Sequence, residues 1–498
     1  MEIDVDVVVI GGGPVGATAL ALLGLAGLSA VCLEKDTQLW PTARAVHFDG
    51  ETMRTLQALG IAEQFERVTI PMKDVAIINE ADEVLVHAST DTIGDQAWHD
   101  HISFHQPDVE ELIRTRVAGL ATVDFRAGEN VTRVEDTDSG VIVTSIDLSG
   151  IEHVTTARWA IAADGARSEI RAALGIESDK YGEDEQWLVV DGQLTDAPGC
   201  EADMVQFGRY SRPALWLRLP GKRVRMEFML MPEDDPDEIA TPEAVERISR
   251  GVLPVGKFVA DRQATYTFRG RIAQKWRVGN VFLAGDAAHQ APPLFGQGLC
   301  AGIRDVQNLV WKMASVVRGF AGNDLLDTYE SERKPHATIW VKVAAEQAVM
   351  IQTTDPEVAA GRDAFMKAHP EASAVPPPPA LGPGLHVGDK DERAGKLGPQ
   401  PVLADGTRLD DMVGTHFLVA TTRDIFDGVS AEVRLALNED GETVTLLDPA
   451  KVELILSSQH AAAVVMRPDH YVLGTANSPS ELEQLLKLIP SVNYQLNH

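Results

Sequence analysis

Near the amino terminus three glycines stand at a spacing that can do chemistry: Gly11-x-Gly13-x-x-Gly16, with Pro14 and Val15 between the last two. The apolar run Val5 to Ile10 before them reads as a parallel strand buried on both faces. The alanine- and leucine-rich run after them, to about Gly27, reads as a helix. In that setting the first glycine allows the tight turn, the second lets a pyrophosphate approach the backbone, and the third permits close packing of helix on strand. The anion would sit on the helix N-terminus. Glu34 stands 18 positions past Gly16, at the end of the next apolar run, where a carboxylate can accept hydrogen bonds from a ribose diol; Lys35 follows it. This fingerprint specifies the ADP half of a dinucleotide and does not by itself separate a nicotinamide from a flavin cofactor.

Two later apolar runs stop in a related way. Trp159 to Ala163 ends at Asp164-Gly165, and the segment to Arg171 spells D-G-x-x-S-x-x-R. Val281 to Ala284 ends at Gly285-Asp286, and the chain continues through His289 and Pro292-Pro293 to Gly296-Gln297-Gly298. From Leu299 onward, Ile303, Val306, Leu309, Val310, Met313, Val316 and Val317 fall on one face of a helix of about five turns. Between the two lies a stretch of different texture. Residues 186–231 alternate and are rich in Val, Leu, Trp and Phe, which predicts an antiparallel sheet. Within it Arg225 and Glu227 share one face and Val224, Met226 and Phe228 the other. The chain turns proline- and glycine-rich from Pro370 to Pro401, as a linker does, and strand-like runs with a final helix, roughly Ser480 to Leu488, follow.

The three signatures, in this order and at these separations, resemble the single-component flavoprotein aromatic hydroxylases with the para-hydroxybenzoate hydroxylase fold, over roughly residues 1–350. Phe104 to Pro107, Trp187 to Asp191, Arg225 to Leu230 and His289 to Pro293 are similar to the 3-(3-hydroxyphenyl)propionate hydroxylase branch. The resemblance implies an α/β fold in which residues 1–72, 100–178 and 272–350 form a Rossmann-like FAD-binding domain. It assigns 73–99 and 179–271 to an antiparallel-sheet substrate domain, 351–400 to a helical, proline-rich linker, and 401–498 to a thioredoxin-like domain. That last domain lacks CxxC, so its expected role is packing or oligomerisation rather than thiol chemistry.

The same resemblance implies FAD as cofactor, NADH or NADPH as reductant and O₂ as co-substrate, with no metal, and hydroxylation of a phenolic ring through a flavin C4a-hydroperoxide. Asp286 would hold the FAD ribityl chain and Gln106 help position it, Val131 belongs to the cofactor set, and Asp164, Gly165 and Arg167 would serve both FAD and the nicotinamide. Arg44 is read either as a pyrophosphate contact or as a surface arginine. Gly296, Gln297, Gly298 and Leu299 open the long helix toward the flavin edge that becomes negative on reduction, and Pro293 stiffens the loop along the ring. The group that activates the phenol is open between His47, Tyr210, Arg212, Tyr266 and His289. Arg225 is read as a substrate contact or a solvated charge, and Trp216 as cavity wall or core. Two other readings stand beside the first: a tailoring or heteroaromatic hydroxylase of the same fold on a polycyclic or N-heterocyclic substrate, and a flavin NAD(P)H oxidase without productive hydroxylation.

Composition agrees with these expectations. With 44 Lys and Arg against 74 Asp and Glu the 498-residue chain carries a formal charge of −30, which argues against nucleic acid and anionic lipid as partners. Three cysteines, Cys32, Cys200 and Cys300, make no disulfide framework and fit a reducing cytoplasm. No apolar run is long enough to span a membrane. A homodimer is left open. The arginines and lysines from Met204 to Met226 and from Arg262 to Gly285, two windows without an acidic residue, are expected to focus small anions such as FAD, NAD(P)H or an acidic substrate into the cleft.

Overall fold

The computed structural model describes residues 2–39, 45–195, 200–250, 252, 258–369, 376–439, 443–448 and 451–498. Its first sheet is built on the valine-rich strand Val5–Ile10, whose Val7, Val8 and Val9 are fully buried. That strand pairs in parallel with Ala30–Glu34 on one side and Glu152–Ala162 on the other. Val123–Ala127 and Val281–Leu283 extend the parallel set outward. β-branched side chains suit a strand covered on both faces, and the helices Pro14–Leu25, Gln106–Ala118 and Gln297–Val317 contribute to the same core.

The second sheet has eight strands, in the order His289–Gln290, Phe258–Ala273, Ser178–Leu194, Arg223–Met229, Ala214–Arg218, Met204–Phe207, Asp74–Ile78 and Val84–Ser89. It is antiparallel as the alternation predicts, except that Met204–Phe207 runs parallel to Asp74–Ile78, a strand supplied by an earlier part of the chain. Its outer face closes a core of Leu188, Val190, Val205, Phe207, Trp216, Met226 and Phe228. Trp216 is therefore core. The inner face turns toward the first sheet's loops.

The long helix departs from expectation. Gln297–Val317 carries the predicted apolar stripe, but its other side is buried as well, including Arg304, Asp305, Asn308 and Lys312. The helix Thr328–Ile351 and the carboxy-terminal unit cover that side. This unit holds a four-stranded sheet in the order Val444–Leu446, Phe417–Thr421, Ala463–Met466 and Val472–Ala476, the first pair parallel and the others antiparallel. The expected final helix is Pro479–Leu486, and a second one, Pro490–Asn497, follows it. The proline- and glycine-rich stretch is packed where it is described. Leu385 and Val387 join the carboxy-terminal core, and the amides of Val387, Gly395 and Gly398 donate to the carbonyls of Leu473, Val472 and His470.

A buried ionic cluster ties this unit to the two long helices. Arg467, in the turn after Ala463–Met466, donates to both oxygens of Glu332 (2.8 and 2.7 Å) and to Asp469 (2.6 Å). Lys312 Nζ reaches the same Glu332 at 2.7 Å, and Asn308 donates to Glu332 and Asp469. Removing one member of a buried cluster strands the opposite charge. The substitution Arg467→Ala is expected to destabilise the fold by about 3–5 kcal/mol, read as a lowered urea midpoint followed at the carboxy-terminal unit; an unchanged midpoint would count against this role. Among the described residues no helix is long and apolar enough to cross a membrane, and no group of His, Cys, Asp and Glu could hold a metal.

Candidate active site

At the nucleotide end the glycine turn has the geometry its spacing predicts. Gly11 sits at φ +95°, and a Cβ on Gly16 would lie 1.9 Å from the Gly11 carbonyl oxygen. The helix Pro14–Leu25 starts at Gly13 with Pro14 in its first turn and no side-chain cap. No described atom lies within 4 Å of where a Cβ on Gly13 would point, so the helix N-terminus opens onto room for a phosphate. Glu34 is held across the turn, accepting from the amides of Gly12 (2.5 Å) and Asp36 (2.9 Å). Arg114 donates to the Gly12 carbonyl at 3.1 Å. Lys35 is exposed, and Val131 is buried opposite Ser145. Arg44 lies outside the described residues. Its neighbour Ala45 donates from its amide to Gln106 Oε1 at 2.9 Å, and Gln106 in turn donates to Glu110 at 2.6 Å.

The other two signatures come to the same place. Val15 of the glycine turn touches the Cβ positions of both Gly285 and Gly302, which joins the first turn to the loop containing Asp286 and to the long helix. Gly285 donates its amide to Asp305 at 3.1 Å, and His289 meets the same carboxylate oxygen at 2.7 Å. Arg333 holds the other oxygen at 3.1 Å. His289 is thus buried and committed to Asp305. Burial alone would raise the Asp305 pKa; His289 and Arg333 together hold it below the usual carboxylate value. Pro293–Phe295 forms one short helical turn that ends on Gly296 at φ +64°, where a Cβ would strike His47. The long helix then starts at Gln297 without a side-chain cap. No described atom lies within 4 Å of a Cβ on Gly298, and Leu299 packs into the core. Two uncapped helix starts, each with open room before a glycine, fit a flavin adenine dinucleotide: pyrophosphate at Gly13, ring edge at Gly298.

The D-G segment shapes its own turn. Asp164 accepts from Ser168 Oγ at 2.6 Å and from the Ile170 amide at 3.2 Å, and Gly165 takes φ +85°. Beyond it Arg167, Arg171, Arg269, Arg271 and Gln290 line a cleft of about 330 Å³. Arg269 and Arg271 share Asp184, Arg171 donates to the Ala287 and Ala166 carbonyls, and Arg167 makes no ion pair among the described residues.

The inner face of the second sheet forms the roof. Its register places Gln206, Leu215, Glu227 and Val189 side by side across four strands, with Leu217, Arg225 and Asp191 in the next row. Leu217 clusters with Val46 and Met72 on one side. On the other, Ile77 of the same face shares a cluster with Leu294 of the Pro293 loop. The segment before His47 therefore meets the row beside the one that carries Glu227, and the Pro293 loop meets the Ile77 end of the Glu227 row. Arg225 is fully buried and grips Asp191 with two bonds (2.7 and 2.9 Å). Arg262 reaches the same carboxylate at 3.0 Å and also meets the Tyr266 hydroxyl. Burial and the neighbouring Asp191 push the Glu227 carboxyl up, against the pull of Arg225, to about 7. His47 Nε2 lies 3.0 Å from His101 Nδ1, and burial, helped by His101, lowers the His47 pKa to about 4.

Other sequence expectations place residues elsewhere. Arg212 is spent on Asp234 and the Met229 carbonyl, and Tyr210, in the same loop, is 37% exposed; neither is bonded to the roof row or to residues 285–299 among the described residues. The basic windows are also not free charge, since Arg209, Arg218 and Arg223 face Asp82, Asp203 and Asp108 from other segments. Sequence reasoning passed over Asp191, Gln206, Asp305 and a chain from the carboxy-terminal unit, in which Tyr471 donates to Glu51 at 2.8 Å and Arg304 bridges Glu51 to Gln297. Asp191 was visible only as the polar end of an apolar run; the others carry no local signal.

Because Asp305 fastens the Gly285 loop, Asp305→Asn is expected to weaken retention of FAD about tenfold or more, a loss of roughly 1.4 kcal/mol. Release of flavin fluorescence on dilution measures it, and wild-type retention would overturn it.

Residues 4–344 match the family described as FAD binding domain. The sequence is 35% identical to the "Probable NADH-specific resorcinol 4-hydroxylase" of Rhodococcus jostii (strain RHA1), covering 97% of this chain and 94% of that one. It is 31% identical to a 3-(3-hydroxy-phenyl)propionate/3-hydroxycinnamic acid hydroxylase of Burkholderia cenocepacia (strain HI2424), covering 95% and 94%. Among solved structures, the flavin-dependent monooxygenase PieE in complex with FAD and substrate has the same fold, with a TM-score of 0.85 at 22% identity over 99% of this chain and 100% of that one. The chain belongs to the FAD-binding-domain family and is an FAD-dependent aromatic hydroxylase.

Proposed function

We propose that the chain hydroxylates a small phenol held between the roof row Gln206, Leu215 and Glu227 and the flavin-facing loop Pro293 to Gly298, with NADH or NADPH as reductant. What supports this reading is the roof itself: the row holding Gln206 and Glu227, with apolar contacts to Leu294 at its Ile77 end and to Val46 in the adjoining row, together with an uncapped helix start. When bound, FAD would carry the reductant's electrons to O₂ and deliver one of its oxygen atoms to the ring, the other leaving as water.

The protein's own groups do the rest. The free amides at the start of Gln297–Val317 favour negative charge at the ring edge without reorganising. Pro293 fixes the loop that borders the ring. His47, neutral at working pH, is a hydrogen-bonding group paired with His101 rather than a cation. A single dinucleotide fingerprint leaves the reductant without a Rossmann site of its own, and the arginine cleft beside Ala166 is the place for its phosphates. The R. jostii relative's name supports NADH over NADPH here. The strand order of the carboxy-terminal sheet supports a thioredoxin-like unit with no cysteine, which braces the flavin site instead of exchanging thiols. Three free cysteines support a cytoplasmic setting.

Adding a small phenol to the FAD-loaded enzyme is expected to speed NADH oxidation by about tenfold or more and to yield one hydroxylated product per NADH. Oxidation that gives only hydrogen peroxide would favour the oxidase reading instead. Arg167→Ala is expected to raise KM for the reductant about tenfold, the worth of one charge-assisted hydrogen bond of roughly 1.5 kcal/mol. The affinity for the phenol should stay unchanged; stopped-flow reduction at varied NADH checks both.

A further inference from the structure

We propose that Glu227 is the base that takes the phenolic proton, and that the pocket selects a phenol bearing no carboxylate. The inference rests on the placement of the phenol argued above and goes on to name its chemical class.

Glu227 is 6% exposed, yet its carboxylate makes no hydrogen bond among the described residues. Buried polar groups without a partner are rare and point to a ligand. The nearest cation, Arg225, stands 3.9 Å away, beyond hydrogen-bonding range, and is bonded twice to Asp191, the other charged group beside Glu227. The opposed side chains in its row, Leu215 and Val189, are apolar. Gln206, one strand further on, is the next polar group of the face, buried and likewise without a hydrogen bond among the described residues.

The charge balance decides the substrate class. Arg225 and Arg262 are matched by Asp191 and Glu227 within one patch of sheet. A phenylpropionate-type carboxylate entering here would find no arginine to receive it and would meet the Glu227 carboxylate directly. A like charge in a buried site is costly. A neutral phenol donates its O–H to Glu227 and meets no such penalty. The phenolic O–H bond then breaks, an O–H bond forms on the Glu227 carboxyl, and the electron pair left on oxygen spreads into the ring, which the enzyme's oxygen chemistry requires to be electron-rich. The proton returns to solvent as product leaves. A carboxyl held near neutrality by burial suits that exchange. The other titratable groups facing this region are Asp191, Arg225, Arg262 and Tyr266 from the sheet, His47 from the opposed loop with His101 behind it, and Arg223 with Asp108 at the row's end.

The test compares wild type with the isosteric Glu227→Gln and with Glu227→Asp, all FAD-loaded, on resorcinol and on 3-(3-hydroxyphenyl)propionate. Wild type is expected to favour resorcinol in kcat/KM by about tenfold or more. In Glu227→Gln, coupled hydroxylation of resorcinol at about pH 7 should fall by about a hundredfold, while the dissociation constant, read from the flavin absorbance change, moves less than about threefold. That loss should shrink as pH approaches about 10, where a phenol ionises unaided, and Glu227→Asp should recover part of it. A Glu227→Gln enzyme that hydroxylates normally, or one equally impaired at every pH, overturns the base assignment; a wild-type preference for the carboxylate-bearing phenol overturns the substrate class. Wild type that hydroxylates neither phenol overturns the reading in the preceding subsection and this inference with it.

Discussion

Arg304, Asp305, Asn308 and Lys312 lie along a helix buried on every side, so the three ions must find countercharges and Asn308 its hydrogen-bond partners inside the protein. An unmatched buried ion costs several kcal/mol, more than most single packing contacts return. The partners come from four separate parts of the chain. Asp49 and Glu51 take Arg304, the Gly285 loop with His289 takes Asp305, and Glu332 and Arg467 with Asp469 close around Asn308 and Lys312. The helix cannot slide or rotate without breaking several of these at once. Its first turn, which carries Gly296 and Gly298, is therefore fixed from behind by charge and not only by packing.

The same lattice explains what a domain without cysteines contributes. Tyr471 of the carboxy-terminal unit donates to Glu51, which is bonded to Arg304, and Arg304 holds the Gln297 side chain at the helix start. His336 lies 3.2 Å from the same hydroxyl. The unit's charged turn, Arg467 to Tyr471, thus braces the start of the helix Gln297–Val317 from behind. Leu385, Val387, Gly395 and Gly398 of the preceding proline- and glycine-rich segment pack along the unit's sheet.

What the sequence disclosed and what it concealed divide by range. The glycine spacing was legible because φ and close approach are local demands, and Gly11 and Gly16 meet them. The strand periods were legible too, down to Arg225 and Glu227 sharing a face. Register was not. That Asp191 stands opposite Arg225, or that Asp184 sits between Arg269 and Arg271, follows from strand pairing across tens of residues, which no window of sequence contains. The long helix shows the same limit: its apolar face is local periodicity, but the segments that cover its charged side lie before and beyond it in the chain.

Charge shows the consequence most directly. Two windows rich in arginine and free of acids suggested a positive cleft for every anion the enzyme handles. Folding sorts them instead. In the second sheet, acids from other segments meet its arginines, and around Glu227 Arg225 and Arg262 face Asp191 and Glu227 itself. Beside the D-G turn, Arg269 and Arg271 share Asp184, while Arg171 is bonded to backbone carbonyls and Arg167 makes no ion pair among the described residues, which leaves that cleft positive. If the substrate is the neutral phenol proposed above, it and an anionic reductant would meet different local fields, which the net charge of −30 does not foretell. The separation follows from register alone, since moving Asp191 by one residue would turn its carboxylate to the opposite face of the sheet and leave Arg225 to bind acids.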